Sequence, residues 1–347
     1  MKLFQRLLVA PAALGLMAPV AVNADTAFSS TTTLSGSAVF TLGSVDSGTA
    51  ANPADDEMIM VYGYSLDMNS SFTGEDSLYV GLEAGNNTSF DDGGTSTLSI
   101  MDSAVGNGST LQVHSAYYSF PVGDLSITAG PLLDQDDVIS ATTSAYSDAF
   151  VLGSAPWSLS GEGGAPGIAV SYAGDSGLNA SVSYVGLGGT NSTQGLNSDA
   201  ATDITTISVG YDGDGFGGGL VLTSADDDVP ADGHDSFGVG IYYTPESIPA
   251  TISVAYDTTD PSATGAADAT DLFIGVDYEV GPGTLSTAYF NREVDDDDDK
   301  TDQTGFELSY SYPVNDYVTT TAGFFSVEED TTEEDDTGVV FETVFSF

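Results

Sequence analysis

From residue 31 to the C-terminus the chain repeats one pattern. Runs of about ten residues alternate apolar with polar side chains and are bounded by Gly, Asp, Asn or Pro. A period of two sends successive side chains to opposite faces, as in a strand with one apolar face. The last run, Thr337 to Phe347 (TGVVFETVFSF), is the clearest: Val339, Phe341, Thr343, Phe345 and Phe347 share one face, and Val340, Glu342, Val344 and Ser346 share the other. Sixteen such runs can be counted, at 31–45, 57–68, 76–86, 110–120, 124–133, 166–173, 177–187, 202–212, 215–225, 236–244, 250–258, 271–280, 284–293, 304–313, 317–327 and 337–347. Only 110–120 is ambiguous in phase.

The connections take turns between short and long. The long ones are 46–56, 87–109, 134–165, 188–201, 226–235, 259–270, 294–303 and 328–336. Short turns at one end, long loops at the other and an even strand count predict an all-β, closed antiparallel barrel of about 16 strands with its termini on the short-turn side. The apolar faces would then meet lipid. With the first strand running toward the loops, Tyr172, Tyr211, Tyr243, Tyr278, Tyr312 and Phe347 fall outward at the turn rim, and Tyr184, Tyr256, Tyr289 and Phe324 at the loop rim. Two aromatic belts are what interfacial anchoring requires.

The third long connection, 134–165 (DQDDVISATTSAYSDAFVLGSAPWSLSGEGGA), holds the chain's one tryptophan, Trp157. It also carries Val138, Ile139, Phe150, Val151 and Leu152, apolar residues that a solvated loop does not need. A barrel this wide has an open lumen, so this loop is expected to fold inward and narrow it.

Residues 1–24 read as a secretory signal. Lys2 and Arg6 precede the apolar run Leu7 to Val22, and Val22-Asn23-Ala24 supplies small residues for cleavage. Pro11 and Pro19 interrupt the run, against a membrane helix. The barrel domain is then 25–347. Its removal of the leader leaves Arg292 and Lys300 as the only basic residues against 52 acids, a formal charge of −50. Nucleic acid is excluded as a partner, because there are too few cations to displace phosphate counterions. Disorder is excluded by 17 Tyr and 17 Phe, and disulfides by the lack of cysteine.

Acids concentrate in the predicted outer loops, notably Asp295–Asp299 and Glu328–Asp336, where they would repel anions and enrich cations. Those loops could loosely hold Ca²⁺ or Mg²⁺; otherwise no cofactor or metal site is legible. The stretch Asp212-Gly213-Asp214-Gly215 has only a fragment of a calcium loop's spacing. Wall acids predicted to face the lumen are Glu83, Asp277, Glu279, Glu307 and Glu342. At the constriction the candidates are Asp134, Asp136, Asp137, Tyr146, Asp148, Trp157 and Glu162, a carboxylate-rich set that favours cations. For a sugar, Tyr146, Trp157, Phe273 and Tyr79 offer stacking surfaces. Catalysis is not supported, since His114 and His234 have no legible nucleophile and orienting partner.

Several long stretches also resemble a known family. The leader MKLFQRLLVAPAALGLMAPVAVNA, FSSTTTLSGSAVF, TAGPLLDQDDVISATTSAYSDAF, IPATISVAYD and DLFIGVDYEVGPGT are similar to cyanobacterial outer-membrane porins, the OprB-like or iron-uptake porins of marine picocyanobacteria. The resemblance implies a trimeric, lipid-embedded pore passing small hydrophilic solutes, with carbohydrate transport or iron uptake as its service, and Phe347 as the residue that an outer-membrane assembly machinery would read. Longer members carry an SLH domain before the barrel. This chain enters its first strand soon after the leader, so wall anchoring is not expected. The competing class is a secreted, acidic, calcium-binding β surface or adhesion protein, which shares the strands and charge but needs neither aromatic belts nor a terminal Phe.

Overall fold

A computed structural model describes residues 31–46, 58–86, 106–147, 164–198, 200–226, 233–263, 266–296, 299–329 and 336–347. The predicted leader lies outside them, as do Asp148, Trp157 and Glu162. Sixteen strands follow in order: β1 Thr32–Asp46, β2 Ile59–Ser70, β3 Ser77–Gly85, β4 Gln112–Val122, β5 Leu125–Leu133, β6 Ala165–Ala173, β7 Leu178–Gly186, β8 Asp203–Gly213, β9 Phe216–Ala225, β10 His234–Tyr243, β11 Ala250–Pro261, β12 Asp268–Val280, β13 Gly283–Asp296, β14 Asp299–Asn315, β15 Val318–Glu329 and β16 Asp336–Ser346. Each pairs antiparallel with its sequence neighbours, and β16 pairs with β1 to close the barrel. Closure leaves no edge strand and satisfies the backbone within the wall, the condition for crossing lipid with strands. No helix of the described residues is long and apolar enough to cross a membrane.

The seam is held to its last residue. Phe347 N–H donates to Gly36 O at 3.0 Å, and Gly36 N–H donates to Phe347 O at 2.9 Å. The Phe347 ring stacks on Tyr64 with centroids 6.1 Å apart, over a glycine whose Cβ would press against it.

The outer face carries large exposed apolar side chains on strand after strand, among them Phe40, Ile207, Leu222, Ile241, Ile274, Phe306 and Phe341. A continuous apolar belt of this kind has no place in water and fits hydrocarbon. Tyr211, Tyr243, Tyr278, Tyr312 and Phe347 are exposed toward the turn rim; Tyr256, Tyr289 and Phe324, expected at the loop rim, are exposed on the same outer face but near the middle of β11, β13 and β15, because those strands run on past the expected loop starts. Tyr172 and Tyr184 also belong to the outer phase but are partly covered. Inward positions are mostly Ser, Thr and Gly, whose hydroxyls pair across strands: Ser37 with Ser65 at 2.7 Å, Ser181 with Ser208 at 2.7 Å, and Ser311 with Thr321 at 2.9 Å.

One expectation needs correction. The long loop expected at 294–303 is largely ladder, because β13 runs to Asp296 and β14 starts at Asp299. Lys300 stitches this hairpin, its Nζ lying 2.7 Å from Glu293 Oε1 and 3.0 Å from Asp295 Oδ2. The Asp212–Gly215 stretch is the tight β8–β9 hairpin, with Gly215 at φ +77°. Asp212 accepts from Asn179 Nδ2 at 2.7 Å and from Tyr242 Oη at 2.7 Å, so its carboxylate is a wall bond. The unreadable phase of 110–120 also has a cause. Register shifts fall at Gly81/Leu82, Ala116/Tyr118 and Gly130/Leu133, so β3 to β6 are bulged where the third long connection leaves the wall.

Candidate functional site

The third long connection leaves β5 and at once turns onto the inner wall. A single 3-10 turn at Asp136–Val138 follows Gln135, whose Nε2 donates to Ser183 Oγ at 3.0 Å and to Ile204 O at 3.3 Å. Val138 is buried with Leu133, Ala165, Ala169, Val185, Ile204 and Ala225 in an apolar root. The chain then crosses strand after strand. Ser140 N–H lies 3.1 Å from both Ser181 Oγ and Ser208 Oγ, Ala145 N–H donates to Ser253 Oγ at 3.0 Å, and Ser147 N–H donates to Asp277 Oδ2 at 2.6 Å. Residues 135–147 thus lie against the lumenal side of β7 to β12.

Glycine makes room for this path. Gly210, Gly219 and Gly240 are cross-strand partners in one row over β8, β9 and β10. A Cβ on Gly210 or Gly219 would fall within 2.6–3.0 Å of Ala141 atoms, and one on Gly240 would collide with the Thr143 carbonyl oxygen. Further along, a Cβ on Gly275 would strike the Tyr146 ring at 2.5 Å. The absence of side chains at these lumenal positions is what allows backbone to lie on backbone.

The predicted wall acids are all on the inner phase, but three are not open to water. Glu307 is 0 % exposed, covered by Tyr146, whose hydroxyl donates to Glu307 Oε1 at 2.5 Å. Glu342 is 1 % exposed; Thr41 Oγ1 donates to its Oε2 at 3.1 Å. Glu83 is buried and accepts from Gln112 Nε2 at 3.0 Å. Alternation assigns a side chain to a face, and neighbours on that face can still bury it. Asp277 is half-buried and accepts from Ser147 N–H and Ser286 Oγ, while Glu279 is exposed.

Of the predicted constriction residues, Asp134, Asp136, Asp137 and Tyr146 are described. Burial and the charge of Asp134 push Asp137 up to about 8, opposed by a hydrogen bond from Tyr117 and reinforced by Asp136 and Asp67. Tyr146 is buried against Ala255, Phe273 and Ala288, its ring centroid 5.3 Å from that of Phe273. Tyr79, the third stacking candidate among the described residues, is buried and donates to Asp67 Oδ1 at 2.6 Å. At the turn rim, the Tyr118 hydroxyl 2.5 Å from Asp76 Oδ2 helps hold that carboxyl well below the usual carboxylate range. Among the described residues, no three His, Asp or Glu converge as a metal site.

Both basic residues of the barrel are neutralised. Arg292 Nε lies 3.1 Å from Asp271 Oδ1 on the inner wall, and Lys300 sits between Glu293 and Asp295. The sequence reading missed the Arg292–Asp271 pair, the Gln135 anchor and the glycine row. Glycines at inward phase on three consecutive strands were the available signal for the last.

A family model described as Gram-negative porin matches residues 10–332. No curated protein matches the chain in sequence. Among solved structures, a loop-deletion mutant of OmpT, an outer membrane protein of Vibrio cholerae, is 13 % identical with a TM-score of 0.67, covering 91 % of this chain and 99 % of that one. An engineered Rhodopseudomonas blastica porin is 17 % identical with a TM-score of 0.61, covering 91 % and 100 %. A structure described by the asymmetric conductivity of engineered proteins is 17 % identical with a TM-score of 0.60 over the same shares.

Proposed function

Because this chain belongs to the Gram-negative porin family, we propose that it is a passive, water-filled outer-membrane channel that prefers cations and is narrowed by the segment after β5. Family and fold point to a channel and not an enzyme. The observation that carries cation preference is charge: against 52 acids, the two basic residues beyond the leader are Arg292 and Lys300, each held by carboxylates. Opposed rows of basic and acidic side chains therefore cannot be built across this lumen, and the fixed field has one sign.

Narrowing is supported by the run of contacts from Gln135 to Ser147 on the lumenal wall. Trimeric assembly, cleavage of the leader and loosely held Ca²⁺ or Mg²⁺ at the outer loops complete the proposal. In planar bilayers the purified protein should insert in discrete steps whose conductance keeps rising with KCl concentration and becomes proportional to it once the fixed charge is screened. A ceiling on conductance as KCl rises would point to a binding site and against passive diffusion.

A second reading, sugar or iron uptake in the OprB-like manner, rests on the resemblance of the leader and the strand segments. The buried state of Tyr79, Tyr146 and Phe273 counts against their use as a sugar stack. Reversible block of the ion current by mono- or oligosaccharides would favour the sugar reading.

A further inference from the structure

Glu307 sits in the lumenal wall of a channel yet has no surface from which to act on an ion. It is 0 % exposed, and Tyr146 covers it. We propose that Tyr146 and Glu307 form a latch that holds the inner segment to the wall, and that Glu307 is a positioning residue outside the ion path. The proposal rests on reading the chain as a channel narrowed by that segment.

The wall is shaped for this one side chain. Gly275, Ala288 and Glu307 are consecutive cross-strand partners on β12, β13 and β14. The Tyr146 ring lies over Gly275, packs beside Ala288 and Phe273, and delivers its hydroxyl to Glu307 across 161 residues of sequence. A larger residue at either small position would lift the ring from the wall. The neighbours on each side of Tyr146 are fastened to other strands: Ala145 N–H to Ser253 on β11, and Ser147 N–H to Asp277 on β12. Asp277 is itself set by Ser286 Oγ at 2.6 Å. Three successive residues are thus tied to three strands, with the Tyr146–Glu307 hydrogen bond at the centre. Loss of one partner leaves a buried polar group unsatisfied, so it should shift the docked-to-undocked ratio by roughly 10- to 100-fold.

The test uses single channels of the full-length protein in planar bilayers. Tyr146→Phe and Glu307→Ala should raise open-channel noise and mean conductance. Glu307→Gln, which keeps an acceptor oxygen, should largely restore the quiet state. Glu307→Gln should leave the reversal potential unchanged. Amide hydrogen exchange of the folded protein in detergent reads docking without any current, since the N–H groups of Ala145 and Ser147 are bonded to the wall. Both amides should be protected in the parent protein and exchange roughly 10- to 100-fold faster in Glu307→Ala. Quiet Tyr146→Phe and Glu307→Ala channels would overturn the latch. So would a Glu307→Gln reversal potential displaced toward anions, since it would put the carboxylate in the ion path. Fast exchange of both amides in the parent protein would overturn the docked geometry. If Glu307→Ala does not reach the folded, heat-modifiable form on gels, Tyr146→Phe carries the test. A latch seen by exchange in a protein that does not conduct would refute the channel reading alone.

Discussion

At Gly240 a single added methyl group would meet the carbonyl oxygen of Thr143, and much of the inner architecture turns on such positions. Gly240→Ala should cost about 1–3 kcal/mol of loop docking by overpacking and appear as higher, noisier single-channel conductance. Unchanged current would mean that the segment does not need this seat. Asp137 gives the residue scale a pH dependence. Its docked pKa is raised to about 8 by burial and by Asp134, Asp136 and Asp67, with Tyr117 as its hydrogen-bonding neighbour. A raised carboxyl pKa means the docked state holds the proton more tightly than the undocked one. Docking is therefore fullest below the ordinary carboxylate range, weakens as pH rises, and is weakest above about 8. Channel noise should grow from acidic to alkaline pH, and Asp137→Asn should flatten that profile. Neither residue's role was legible in the sequence. Glycine in a strand reads as weakness or a bulge, and alternation gives the face of Glu307 or Glu342 but not what lies over it.

The strands themselves were legible because their physics is local. A two-residue period, apolar on the lipid side, with Gly, Asp or Pro at the turns, is written into each segment independently of the others. Where pairing depends on distant residues the reading slipped. The β13–β14 hairpin continues past the expected loop because Lys300 is clamped by Glu293 and Asp295 across the ladder. The phase of β4 was lost to the bulges of the β3–β6 wall. The seam of β1 and β16 gives this scale its prediction. Removing Phe347 deletes both backbone bonds to Gly36 and the ring stacked on Tyr64. It should lower the fraction of chain recovered as heat-modifiable barrel in outer membranes, while channels that do form conduct normally. Normal recovery of the truncated chain would contradict a role for the terminal residue in assembly.

For the whole molecule the governing quantity is charge. With Arg292 and Lys300 paired, and Glu83, Glu307 and Glu342 buried, the acids that act on a passing ion include, among the described residues, Asp277 and Glu279 on the wall and those toward the rims. Exposed charges of this kind act through water and are screened within about 10 Å at 0.1 M salt. Selectivity should therefore be strong in dilute electrolyte and fade as salt rises. That the net field is negative was plain from composition, whereas the withdrawal of three wall acids from it required the packing of the inner face. The most direct measurement is the zero-current potential of the reconstituted protein across a KCl gradient, taken at low and at high mean concentration. The account predicts a potential of the sign set by K⁺ permeation, shrinking toward zero at high salt. A potential of the opposite sign, showing preference for Cl⁻, would contradict it.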